Sequence, residues 1–140
     1  MPYIEIAKIW TDSDEMLQLE ATASNEAQVA KQDFYVYPND IVDFGNQLQA
    51  FPKSMSDVVS LEYGKDPKFY CYFLLRAVVL DSLGHSAIEI KFDNRLDPPV
   101  KASGNFFMSC EVATVNEFGR QLTSWVKDMG TELRFEWKCA

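Results

Sequence analysis

The chain holds one histidine, His85, in the stretch DSLGHSAIEI, with Asp81, Ser82 and Ser86 around it. Serine, histidine and aspartate are the residues of nucleophilic acyl transfer. That chemistry needs them to converge from separate elements, with the serine on a strained strand-to-helix turn. Here they crowd one turn between two apolar stretches, which reads as a hairpin whose backbone the imidazole helps to hold. A lone imidazole cannot build the usual histidine metal site. The stretch TDSDE at 11–15 gathers Asp12, Asp14 and Glu15. It lacks the glycine and distal glutamate of a calcium loop, so it reads as a solvated hairpin tip.

Other chemistries leave no trace. Neither G-x-x-x-x-G-K-[ST] nor G-x-G-x-x-G occurs. Among 21 acidic residues no pair is singled out for glycoside hydrolysis. Ten Phe, six Tyr and three Trp lack, along the chain, the interleaved basic residues of a nucleic-acid platform. The stretch DNRLDPP has loop residues and no recognisable chemistry. We therefore expect a binding protein rather than an enzyme, with no metal and no cofactor.

Bulk properties narrow the class. At 140 residues and 47% hydrophobic, the sequence is that of one globular domain spanning 1–140. No apolar run approaches the ~20 residues of a membrane span, and the N-terminus lacks a signal-peptide pattern, so a cytoplasmic protein is expected. Three cysteines without a C-x-x-C pair read as two packed thiols, Cys71 and Cys110, and a tail thiol, Cys139. The formal net charge is −8, unevenly spread: residues 1–70 hold 12 acids and 5 bases, residues 71–140 hold 9 and 8. Such a surface repels nucleic acid and anionic membrane and favours a basic protein partner.

The elements that must position these residues show an internal repetition. FGNQLQAF at 44–51 returns as FGRQLTSW at 118–125. At the same offset Val59, Leu61 and Tyr63 match Leu133, Phe135 and Trp137, and Phe34 and Val36 match Met108 and Cys110. Both sets alternate apolar with polar, as half-buried strands do. Three extra residues around LDPP at 96–99 bring Leu17, Leu19 and Ala21 onto Ile88, Ile90 and Phe92. The expected fold is α+β, a largely antiparallel, strongly curved sheet with two helices. It comprises two β-β-β-α-β pseudo-repeats at about 3–65 and 69–139, an internal duplication.

Thr114 with Glu117, and Asp40 with Asp43, form capping-box spacings, while Pro52 and Gly130 are placed to stop the helices. The apolar faces are Ile41, Phe44, Leu48 and Phe51, and Val115, Phe118, Leu122, Trp125 and Met129. Gly45 and Gly119 fall on those faces. A mid-helix glycine costs about 1 kcal/mol, so its presence there points to close backbone packing. Gln47 and Gln121 sit beside the faces as candidate caps for a strand or loop. The stretch KFYCYFLLRAVVLDS is apolar on both faces except for Arg76. It reads as a covered central strand, or as the interface of a homodimer through 69–80.

GHSAIEIKFDN followed by VNEFGRQLTSW, with the helix entry NDIVDFGNQL, resembles small uncharacterised bacterial α+β domain families, some of them immunity-protein-like. The likeness covers residues 84–122 best. It implies a bacterial, immunity-type inhibitor that docks on a basic protein such as a nuclease toxin. The candidate binding residues are then Asp12, Asp14, Glu15, Asp40, Asp43 and His85. The alternative reading is a small-ligand-binding protein or enzyme with a pocket inside the curved, aromatic-rich sheet.

Overall fold

Alternating apolar residues build eight strands and two amphipathic stripes build two helices in the computed structural model, which describes residues 1–138. Cys139 lies outside the described residues. In chain order the elements are β1 (Tyr3–Thr11), β2 (Leu17–Ser24), β3 (Val29–Val36), α1 (Pro38–Gln49), β4 (Val58–Tyr63), β5 (Tyr72–Val79), β6 (His85–Asp93), β7 (Ser103–Glu111), α2 (Val112–Lys127) and β8 (Glu132–Glu136). The order β-β-β-α-β thus occurs twice, and the fold is α+β and antiparallel throughout.

The strands divide between two four-stranded sheets, ordered β3-β2-β1-β8 and β4-β5-β6-β7. Each half contributes a three-stranded meander and then sends its last strand to the other half's sheet. β8 pairs with β1, and β4 pairs with β5. This exchange ties the halves together through backbone hydrogen bonds as well as through side chains.

The inner faces of both sheets and the apolar stripes of both helices make one continuous core. Phe34 of β3 stacks on Phe73 of β5 across the two sheets, centroids 4.4 Å apart. Phe118 of α2 stacks on Phe135 of β8 at 5.1 Å. Leu48 and Leu122 are buried on the facing helices. Truncating either to alanine should cost about 2–5 kcal/mol.

The repeated Phe-Gly-x-Gln-Leu phrase is where the helices cross. A Cβ on Gly45 would stand 2.9 Å from the Gly119 carbonyl oxygen, and one on Gly119 would stand 2.5 Å from that of Gly45. The backbones touch, and no larger residue fits at either site. The glutamines do not cap: Gln121 donates to Glu117 of its own helix at 3.3 Å. Asn116 of α2 instead donates to the Leu48 and Phe51 carbonyls at 2.8 and 2.9 Å. It adds a second donor to the Leu48 carbonyl, which also accepts from the Phe51 amide, and fastens the end of α1 to α2.

The helix starts differ from expectation. α1 begins at Pro38 behind Tyr37, and α2 begins at Val112 directly off β7. Neither has a side-chain cap, so Asp40 and Thr114 lie within the first turn. Proline's fixed φ sets the earlier start of α1. At the end of α2, Met129 takes the left-handed conformation (φ 55°). The Gly130 and Met129 amides donate to the Trp125 and Val126 carbonyls. Gly130 is needed next to it because a Cβ there would lie 2.2 Å from the Trp125 ring.

Candidate functional site

With the inner faces consumed by the core, chemistry is left to the outer faces and the turns. β5 is the second strand of its sheet, paired on both edges by β4 and β6. Its even-numbered residues Tyr72, Leu74, Arg76 and Val78 face outward. Register then sets their neighbours: Ser60, Arg76, Glu89 and Phe107 form one cross-strand row, and Glu62, Leu74, Lys91 and Asn105 the next.

The first row holds a buried charge. The Glu89 side chain is 6% exposed and pairs with the Arg76 guanidinium through Nε, while Arg76 is 38% exposed. Asn105 Nδ2 donates to the other Glu89 oxygen at 2.7 Å. A buried carboxylate survives only when both oxygens are partnered, and here both are. Phe107 lies beside the pair and is 46% exposed. On the other side Tyr72 donates to Glu62 at 2.5 Å. Burial, with that hydrogen bond second, pushes the Tyr72 phenol up to about 12, so the ring stays neutral at physiological pH.

Two adjoining hollows open over these rows. One, of about 390 Å³, is lined by Ser60, Glu62, Tyr72, Arg76, Lys91 and Asn105 among others. The other, of about 560 Å³, adds Lys65 and Arg95 around Tyr72. Arg95 is built in: its guanidinium donates to the carbonyls of Gly64, Asp66 and Phe69 at 2.7–3.1 Å and stands 6.0 Å from the Tyr72 ring centroid. The loop carrying it is ordered by Asn94, which accepts from the amides of Leu96 and Ala102 and donates to the Val100 carbonyl. That is the role of DNRLDPP. Lys65 and Lys91 are in no ion pair among the described residues. Lys65, Arg76, Lys91 and Arg95 face the carboxylates of Glu62, Glu89 and Asp93, leaving a net positive strip on a protein of net charge −8.

A cluster of rings lies where β3 meets β4. Tyr35, Tyr63, Phe69 and Tyr70 pack with centroids 5.4–6.1 Å apart. Tyr70 donates to Asp33 at 2.8 Å, and burial followed by that bond raises its pKa. Asp40 and Asp43 line a hollow of about 510 Å³ beside Tyr35, Tyr37 and Tyr63.

The acidic β1–β2 turn borders the start of α1, for Met16 shares that hollow with Asp40 and Asp43 and Glu15 shares another with Pro38. Asp12 closes the β1–β2 turn by accepting from the amides of Asp14 and Met16 at 2.8 and 2.9 Å. Glu15 follows in the left-handed region (φ 67°) and lines a different hollow, beside Trp125. His85 Nδ1 meets the Asp81 carboxylate at 2.6 Å at the exposed start of β6, and it is Asp81, accepting from the Leu83 and His85 amides, that holds the turn's backbone. His85 thus sits at the start of β6, while the acidic candidates gather around the β1–β2 turn and the start of α1.

Sequence reasoning missed the cationic strip. Its members come from two strands and two loops, and only strand pairing and the folding of those loops bring them together. The lone Arg76 in an apolar strand was the one signal that could have found it.

No family model matches the chain, and no curated protein does. Among solved structures, the chain is similar to that of the plant transcriptional regulator PBF-2, with a TM-score of 0.50 at 10% identity over 92% of this chain and 79% of the other. It is also similar to WHY3 from Arabidopsis thaliana, with a TM-score of 0.49 at 12% identity over 90% of this chain and 82% of the other.

These findings correct several expectations. The fold is similar to that of a plant transcriptional regulator, and this likeness overturns the bacterial, immunity-type inhibitor with a basic protein partner. The alternative pocket inside the sheet is absent among the described residues, because Phe34, Phe73, Ile88, Ile90 and Met108 fill that space. The expected exclusion of nucleic acid fails against the cations around Tyr72. Because β5 is paired on both edges and its inner face lies in the core, a homodimer through 69–80 would have to use its outer face. No helix among the described residues is long and apolar enough to cross a membrane.

Proposed function

We propose that this chain binds single-stranded nucleic acid on the outer face of its second sheet. The observation that carries the reading is the placing of Lys65, Arg76, Lys91 and Arg95 around Tyr72, with Phe107 farther along the same face. Cations track a phosphate backbone and open aromatic faces stack bases, the two parts of a single-strand platform. A single strand is favoured over duplex because α1 and α2 spend their packing faces on each other and on the sheets. Neither is free to enter a major groove. The likeness to a plant transcriptional regulator supports a role on nucleic acid. A reducing, nucleic-acid-containing compartment such as the cytoplasm suits Cys71, a buried thiol that donates to the Asp33 carbonyl.

Fluorescence anisotropy with a labelled 15-nucleotide dT strand tests the reading. We expect binding at 20 mM salt that falls steeply towards 300 mM, with a slope of about −0.7 per phosphate neutralised. Tyr72→Ala should weaken it about tenfold, the loss of one stacked base. Absence of binding at 20 mM salt, or binding indifferent to Tyr72, would overturn the proposal.

A further inference from the structure

We infer that Arg76, held by the buried Glu89, selects guanine among the bases that cross the second sheet; this rests on the single-strand reading above. The guanidinium is engaged through Nε alone, and its two terminal nitrogens make no hydrogen bond among the described residues. They border the hollow of about 390 Å³ whose other walls include Tyr72, Lys91 and Asn105. Two parallel N–H donors at the end of a planar group match the O6 and N7 acceptors of guanine. Adenine offers a donor in place of one of them, and thymine lacks the pair.

The fork is also fixed in orientation. Glu89 cannot swing away, because its second oxygen is held by Asn105, which also reaches the Ile90 carbonyl at 3.3 Å. Both Glu89 and Leu74 are buried. A guanidinium tied down in this way gives up little side-chain freedom on meeting a base, which an unanchored arginine would have to lose. Arg76 is the residue that touches the base; Glu89 and Asn105 are positioning residues. A backbone phosphate could take the same two donors, so the test separates base from phosphate.

The experiment uses the intact protein and 15-nucleotide dT strands carrying one central dG, dA, inosine or 7-deazaguanine, compared by anisotropy at 20 mM salt. We expect the dG strand to bind about tenfold tighter than the dA strand. Inosine, which keeps O6 and N7, should retain the preference, and 7-deazaguanine, which lacks N7, should lose it. Arg76→Lys keeps a cation beside Glu89 and should bring dG and dA together while dT binding persists. Asn105→Ala should narrow the same ratio. Equal affinity for all four strands would overturn the inference and leave single-strand binding standing. So would an Arg76→Lys loss that is uniform across strands, which would assign the fork to phosphate. Failure of every strand to bind would remove both.

Discussion

The outer faces of the two sheets occupy corresponding places in a twofold β-β-β-α-β plan, and they carry different chemistry. On the first sheet Glu5, Glu20, Asp33, Glu132 and Glu136 face outward around two cations, Lys31 and Arg134. Both cations are consumed there. Lys31 pairs with Glu20 at 3.6 Å, and Arg134 pairs with Glu5 and Glu136 and lies 4.2 Å from the Tyr3 ring centroid. On the second sheet the carboxylates are the consumed partners, and Lys65 and Lys91 are left without an ion pair among the described residues. One scaffold thus presents an anion-repelling face and an anion-accepting face, and the net charge of −8 conceals the second.

The sharpest way to break that comparison is to remove the arginine from each face. Arg76→Ala leaves the Glu89 carboxylate buried with its charge uncompensated, a defect that costs about 3 kcal/mol or more. Arg134→Ala removes a solvent-screened pair from exposed carboxylates and should cost much less. Urea unfolding of both variants checks this. Equal losses would show that burial of Glu89 does not distinguish the faces, and Glu89→Gln beside Arg76→Ala should recover part of the larger loss.

The charges themselves can be exchanged between faces. Lys65→Glu with Lys91→Glu should lower affinity for the dT strand about tenfold or more at low salt and flatten its salt dependence. Glu20→Lys with Glu132→Lys, on the first sheet, should raise non-specific affinity while leaving any preference for dG over dA unchanged. If the first pair of substitutions leaves binding intact, the strand lies elsewhere on the molecule.

How much of this was legible in the sequence depends on the range of the interaction. The glycine pair was readable because Gly45 and Gly119 sit on apolar helix faces, where a glycine needs a reason. The His85 turn was readable because its partners lie within four residues. The cationic strip was not, since Arg76 and Glu89 are 13 positions apart and Glu89 and Asn105 are 16. Composition counted the acids without showing that Glu62 and Glu89 are already occupied. The helices start earlier than the capping-box spacings imply because Pro38 sets the first turn of α1 and β7 runs directly into α2.

The smallest expected effect lies in the two matching hairpin turns. Asp12 accepts from the amides two and four residues on, and Asp81 does the same to Leu83 and His85 at 2.9 and 3.2 Å. Only the second turn adds an imidazole. The hydrogen bond to Asp81 raises the His85 pKa, and the same bond lowers that of Asp81. A group whose folded pKa is raised adds stability that is complete below its unfolded value, about 6.5, and is lost as pH rises through the folded value. The lowered Asp81 acts at the acid end: its share is present above the unfolded carboxylate value, about 3.9, and disappears as pH falls through the folded one. NMR titration should therefore place His85 above 6.5, and Asp81→Asn should return it towards that value. Thermal unfolding should then show a slight loss between pH 6 and 8 that Asp81→Asn abolishes and Asp12→Asn leaves in place. A His85 that titrates at its ordinary value would make the two turns equivalent, and the imidazole would be a bystander to the Asp81 turn.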